Sequence, residues 1–367
     1  MVKHVVRYMA TRSPVLALLN GLAGRHVTLF MLHRFAEDPT REDRHHPHNL
    51  ARALEYLRRH RYPLVSLADI VATARGGPPL PPRAVAFTVD DGYADFLALA
   101  LPVFERYDCP VSVFLTTGFI DGQVWMWWDR LATVFRATAR RRATVTGGGP
   151  GVLWSWSSDG ERLSALAAAV ELLTYSPPAD RDALIAALAR ELEVDLPSRA
   201  PADYAAMTWE EVRAAEARGV GFGAHTLDHP TLATIPDPGE CGHQIAHSYA
   251  RLQQHVTALP VFCYPNGDAR SFGQREIDLV AKAGFALAVT ALPGHLPSGT
   301  TVHGWPRDRQ LTVPRLPYPD DHARFRQNVS GLERVTSTVR RMLAGLRAGG
   351  PAIDGKPIAQ ARPILGE

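Results

Sequence analysis

Cysteine is scarce in this 367-residue chain. Cys109, Cys241 and Cys263 are odd in number and widely spaced, with no C-x-x-C pair among them. That excludes a disulfide framework and a cysteine-type zinc site. Long hydrophobic runs are also missing: no apolar stretch reaches the roughly 18 uninterrupted residues of a membrane span. Nor does one sign of charge dominate, since 40 basic and 37 acidic residues leave a formal net charge of +3. So small an excess gives no basis for a nucleic-acid or anionic-membrane partner. With 46% hydrophobic and 21% charged residues, the composition is that of a folded globular protein. What the chain does have in quantity is histidine, 15 residues, so the question becomes which of them carry chemistry.

Near the start, Lys3, Arg7 and Arg12 precede a short apolar stretch, Val15 to Gly24, that Asn20 and Gly21 interrupt. The order is that of a signal peptide, but the interruption favours a helix packed on the domain. The expected compartment is therefore the cytoplasm, with the periplasm or the exterior as the alternative if the segment works as a signal.

Six short, β-branched apolar runs read as strands: Val27 to Leu32, Ala84 to Val89, Val111 to Thr116, Val220 to Ala224, Val261 to Tyr264 and Phe285 to Thr290. Helix-period segments alternate with them: Leu50 to His60 behind Asn49, Leu67 to Ala74 behind Ser66, Ala94 to Tyr107, Trp209 to Arg218 behind Thr208, and Gly239 to Thr257. Thr208 and Glu211 fit a capping box. Strand–helix alternation implies a parallel α/β sheet, open or closed into a barrel, and periodicity alone does not choose. Residues 121–207 break the rhythm with Trp125, Trp127 and Trp128, the basic Arg140 to Arg142, a Gly147 to Gly151 turn and an Ala/Leu-rich helix pair. They read as an insertion on a βα connection. The resulting organisation is an N-terminal helix (1–24), one α/β unit (25–320) carrying the insertion, and a C-terminal helix with a loose tail (321–367), the helix marked by Leu332, Val335, Val339, Met342 and Leu346.

Chemistry-bearing residues gather where strands end. Asp90-Asp91-Gly92 follows Ala84 to Val89; two adjacent carboxylates repel, and a cation beside them resolves the conflict, although an Asp-Gly turn with a solvated pair reads equally well. His225-Thr226-Leu227-Asp228-His229 follows the next-but-one run, and a four-residue spacing on a helical turn would let both imidazoles share a metal. With Asp91 the set becomes two imidazoles and one carboxylate, leaving positions open for water and substrate. Pro265-Asn266-Gly267 favours a tight turn whose backbone N–H groups suit an oxyanion, or else is a plain turn. His33 follows the first strand directly, at the end where a general acid is needed.

These elements together resemble the polysaccharide deacetylase family, also called the NodB homology or carbohydrate esterase family 4 group. Asp90-Asp91-Gly92 matches its T-F-D-D-G motif, and His225 to His229 matches its H-[ST]-x-x-H motif. The resemblance implies a distorted, TIM-like (β/α)7 barrel and removal of N-acetyl groups from amino sugars. It implies a divalent metal, with Zn2+ the expected ion, held by Asp91, His225 and His229, and Asp90 as the catalytic base. The arginine that usually precedes the family's third motif is missing, since Cys263 and Tyr264 precede Pro265; Arg315 is the candidate replacement. Phe30-Met31-Leu32-His33-Arg34 resembles the circularly permuted poly-N-acetylglucosamine deacetylase branch, whose acid histidine is N-terminal. That makes His33 the expected acid, with His295 and His303 as rivals. Asn266, Tyr264 and Trp127 are the candidates for oxyanion or substrate contact, the tryptophans as a sugar-stacking platform or as packing of the insertion. The expected partner is a carbohydrate bearing acetamido groups. O-acetyl esterase activity on a glycan such as xylan, deacetylation of an intracellular lipid- or nucleotide-linked sugar, and glycan binding without catalysis are the competing readings.

Overall fold

The computed structural model describes residues 26–41, 43–145, 152–298 and 306–331. The expected helix within 1–24, the Gly147 to Gly151 turn, the Leu332 to Leu346 helix and His303 lie outside the described residues.

Seven parallel strands form the framework, in the order β10-β1-β2-β3-β6-β7-β8. They are β1 (His26–Leu32), β2 (Ala84–Val89), β3 (Val111–Leu115), β6 (Gly221–Ala224), β7 (Val261–Cys263), β8 (Leu287–Val289) and β10 (Leu316–Pro317), with β4 (Arg142–Val145), β5 (Val152–Ser155) and β9 (Leu296–Pro297) outside that series. The sheet curls until residues 313–317 join its two ends. Val313 bridges Val289 of β8, while Leu316 and Pro317 pair with Phe30 and Met31 of β1. The barrel reading is thus correct, and the short closing strand is the one the sequence analysis did not find: two residues carry no detectable alternation. β9 runs antiparallel against the start of β1.

Side-chain alternation along each strand separates two apolar layers. Phe30, Leu32, Phe87, Val113, Phe222 and Phe262 meet the surrounding helices. Leu29, Ala86, Phe114, Val261, Cys263 and Val289 fall in a second cluster, which also takes in Leu67, Ile70 and Val71 of the helix Leu67–Ala74. Glycine makes the second layer possible at β6. A Cβ on Gly223 would stand 2.6 Å from the Phe114 ring and 2.9 Å from the Val261 carbonyl oxygen.

Helix ends follow local chemistry. The capping boxes at Ser66 and Thr208 both form. The first helix begins earlier than expected, at Pro47, with His46 rather than Asn49 as its cap, because proline suits the first helical position. Asp237 caps Pro238–Gln253 in the same way. The segment expected as one helix from Ala94 to Tyr107 is a π-helical turn, Phe96–Ala100, followed by Leu101–Arg106; Pro102 has no N–H to continue the regular ladder.

Between β3 and β6 the chain leaves the barrel and builds the helix Trp127–Ala137, the hairpin β4–β5, and the helices Asp159–Thr174 and Pro178–Glu191. This segment has its own apolar cluster, including Trp127, Leu131, Phe135, Trp154 and Ile185.

Gly223→Ala should destabilise the protein by about 1–3 kcal/mol, since the added methyl must displace an aromatic ring or a strand carbonyl. Urea unfolding followed by circular dichroism checks it; an unchanged midpoint would show that Phe114 can move aside.

Candidate active site

Strand alternation delivers the site. Continuing the inward register past each strand end gives His33 after Leu29 and Met31, Asp90 after Ala86 and Thr88, His225 after Gly223, and Arg315 after Val313. His33, Asp90 and His225 sit at the carboxyl ends of parallel strands, Arg315 lies on the closing segment just before β10, and all four border one cleft of about 540 Å³. Three loops at this mouth hold non-glycine residues in the left-handed region: Asp91 (φ 77°), Thr226 and His229 (φ 67° and 54°), and Asn266 (φ 60°). Such backbone is costly and concentrates at functional sites.

The positive φ of Asp91 separates the two adjacent carboxylates, and each finds different company. Asp90 receives a two-pronged contact from Arg315, Nη1 to Oδ1 at 2.7 Å and Nη2 to Oδ2 at 2.8 Å. Arg315 is itself 1% exposed. It also donates to Thr88 Oγ1 and to the Thr290 carbonyl, both at 3.0 Å, and approaches Cys263 Sγ at 3.1 Å. Burial alone would raise the Asp90 carboxyl, but the Arg315 guanidinium outweighs it and holds the group well below the usual carboxylate range. Arg315, the candidate replacement for the missing arginine, is thus the residue paired with Asp90.

Asp91 Oδ1 faces the Nε2 atoms of His225 and His229 at 3.6 and 3.5 Å. These distances are too long for hydrogen bonds, and Asp91 Oδ1 and His229 Nδ1 are buried without a partner. They are close to the roughly 3.3 Å that separates ligand atoms in a tetrahedral site with bonds of about 2.0–2.1 Å. The donor set of two imidazoles and one carboxylate suits a first-row divalent ion. His225 Nδ1 lies 2.7 Å from the Cys263 carbonyl oxygen. A carbonyl only accepts, so Nδ1 carries a proton and Nε2 is left as the atom that faces Asp91 and could ligate a metal. Burial pushes His229 down to about 3, which keeps its ring neutral. The two rings meet edge to face at 4.7 Å. The expected helical turn is absent: residues 225–229 are irregular, and the left-handed Thr226 and His229 bring the rings together instead.

His33 stands on the open side, its side chain 46% exposed and Nε2 3.7 Å from Asp90 Oδ2. Its rival His295 precedes β9, at the opposite end of β1, and its Nε2 meets the Asn328 carbonyl oxygen. Asn266 borders the cleft with its amide donating to Thr231 Oγ1 at 2.8 Å. Tyr264 borders the cleft, with its ring stacked on Phe272 at 4.2 Å and its hydroxyl buried without a partner. Trp127 also turns largely inward, 5% exposed, with the Arg181 guanidinium 5.1 Å from its ring. Its neighbour Trp128 is the tryptophan that meets the catalytic loops, edge-on to His229 at 4.7 Å.

Two residues that sequence reasoning missed complete this wall. Tyr93 donates to Asp129 Oδ2 at 2.6 Å and accepts the Trp128 indole N–H at 3.0 Å. Asp129 is buried, and that burial lifts its carboxyl to about 7. Tyr93 follows the Asp-Asp-Gly turn directly and Asp129 follows the tryptophans, which was the available signal.

A family model described as polysaccharide deacetylase matches residues 197–288. A poly-beta-1,6-N-acetyl-D-glucosamine N-deacetylase from Escherichia coli (strain K12) is 42% identical over 55 residues, 15% of this chain and 8% of that protein. The matched stretch is thus a small part of the curated relative. The structure of IcaB from Ammonifex degensii superposes with a TM-score of 0.53 at 17% identity, covering 84% of this chain and 98% of that one. The Streptococcus pyogenes deacetylase PplD in complex with acetate superposes with a TM-score of 0.51 at 14% identity, covering 85% and 98%. The fold is that of the barrel deacetylases. The match to the polysaccharide deacetylase model takes in the His225 to His229 motif and covers about a quarter of the chain.

In metal-free protein, Asp129→Asn should gain stability over the wild type as pH rises. The native carboxyl titrates near 7 and an unfolded one near 3.9. The native state therefore holds a proton that the unfolded state has released between those values. Wild-type stability falls across that window, and the deficit, at most about 4 kcal/mol, is complete above it. Melting both proteins at pH 5 and pH 8 tests this; a pH-independent difference would contradict it.

Proposed function

We propose that this chain hydrolyses the N-acetyl groups of amino sugars in a polysaccharide or oligosaccharide. The observation that carries the reading is the ionised, arginine-paired Asp90 beside the buried Asp91, His225 and His229 trio at the mouth of one cleft. The trio would hold a divalent ion, with zinc favoured by its nitrogen-rich ligand set, which when bound supplies Lewis-acid polarisation of the acetyl carbonyl and of a water.

The remaining chemistry belongs to this chain's own residues. Asp90, kept anionic by Arg315, accepts a proton from the attacking water. The water oxygen bonds to the carbonyl carbon. As the carbon–nitrogen bond breaks, His33 gives a proton to the departing nitrogen, so the products are acetate and a free amine. Trp128 and the helix Asp159–Thr174 wall the cleft on the insertion side and offer an aromatic edge to a sugar ring. Substrate and compartment are linked: residues 1–24 acting as a signal would favour an exported polymer over an intracellular sugar precursor.

Acetate release from chito-oligosaccharides, poly-N-acetylglucosamine, acetylated xylan and UDP-N-acetylglucosamine tests the reading. Metal-loaded enzyme should act on the N-acetylated glycans. Release from xylan alone would make it an O-acetyl esterase, and release from none would overturn it. Asp90→Asn should lose at least about 100-fold in kcat while keeping its metal; His225→Ala should lose both activity and metal.

A further inference from the structure

Among the described residues the His33 ring has no hydrogen-bond partner, lying 3.7 Å from Asp90 and half exposed, yet a general acid must be held to within a fraction of an ångström. What holds it lies one and two residues along the chain. Arg34 and Phe35 are both gripped by one carboxylate, Asp95, three residues beyond Gly92. Asp95 Oδ2 accepts from Arg34 Nε at 2.6 Å and Asp95 Oδ1 accepts from the Phe35 backbone N–H at 3.2 Å. The side chain of Asp95 is 13% exposed and that of Arg34 11%.

Arg34 is in turn fixed from its other sides. Its guanidinium lies 3.8 Å from the centre of the Tyr93 ring, Nη1 is 3.9 Å from Asp129 Oδ1, and Nη2 donates to the Asp203 carbonyl oxygen. Asp203, where the insertion returns to the barrel, also binds the Arg44 guanidinium through both carboxylate oxygens, at 2.8 and 2.7 Å. The loop after β1 is thereby tied to the loop after β2 and to the insertion at once.

We propose that Asp95 is a positioning residue for the acid step: by holding the Phe35 backbone and Arg34, it sets His33 against the same turn that carries Asp90. The inference rests on the assignment of His33 as acid and Asp90 as base. A carboxylate that merely stabilised the fold would affect every reaction at the site alike. One that positions the acid affects only reactions whose leaving group needs a proton.

The test compares an N-acetylated chito-oligosaccharide with 4-nitrophenyl acetate, whose leaving group departs as a stable anion, on metal-loaded full-length enzyme. Asp95→Ala should lower kcat on the amide by about tenfold or more, with KM changed less than about threefold. Its rate on the ester should stay within about twofold of wild type. His33→Ala should show the same selectivity, and His33→Ala/Asp95→Ala should be no worse than His33→Ala alone. Asp95→Asn, which keeps an oxygen for the Phe35 N–H, should recover part of the loss. If Asp95→Ala does not fold, Arg34→Gln opens the same contact and should give the same amide-selective defect. Equal losses on amide and ester, or a further loss in the His33→Ala background, would overturn the inference while leaving the deacetylase reading intact. Wild-type enzyme that cleaves the ester but no amide would overturn both.

Discussion

The buried pair of Asp90 and Arg315 is the interaction on which the rest of the site depends. Arg315 lies on the segment that joins β8 to β1, so the contact that keeps Asp90 ionised also spans the seam of the barrel. Both partners are almost wholly buried. Desolvating two ions is expensive, and the pair survives only because its hydrogen bonds are complete: Thr88, the Thr290 carbonyl and Cys263 take up the remaining donors of Arg315. Removing either partner would leave an uncompensated buried charge, at a cost of about 3–5 kcal/mol. Fold and chemistry therefore constrain the same few atoms.

The cluster of Asp91, His225 and His229 shares this economy with Asp90. Asp90 and Asp91 are neighbours in sequence with like charge, and an ordinary strand or turn would leave them in conflict. The left-handed backbone at Asp91 directs one carboxylate to a guanidinium and the other to two imidazoles. Cys263 serves both halves, its carbonyl fixing the His225 tautomer and its sulfur touching Arg315. A small side chain at that position leaves room for the guanidinium of Arg315, which arrives from the closing segment beyond β8.

Much of this was legible in the sequence because strand alternation is a strong signal. Once Ala84 to Val89 is a strand with Ala86 and Thr88 facing inward, Asp90 must face inward too. The same count places His33 and His225, whereas Arg315 precedes a closing strand too short to show alternation. Side-chain direction after a turn was not legible. Tyr264 and Trp127 are aromatic residues beside the site whose rings pack inward, a choice made by the tertiary partners Phe272 and Arg181. Asp129 and Asp95 escaped notice for the converse reason. Each is a lone acidic residue in a segment read as helix or insertion, and its role appears only when Tyr93 and Arg34 arrive from elsewhere in the chain.

The closure of the barrel by residues 313–317 also sets an order of events during synthesis. β1, β2 and the whole metal-ligating loop leave the ribosome well before Arg315 does. Until that residue is made, the site is assembled around an aspartate with no guanidinium to keep it charged in a closed interior. A nascent chain can thus pair most of its strands before the contact between Asp90 and Arg315 can form, and that contact waits until the barrel is shut.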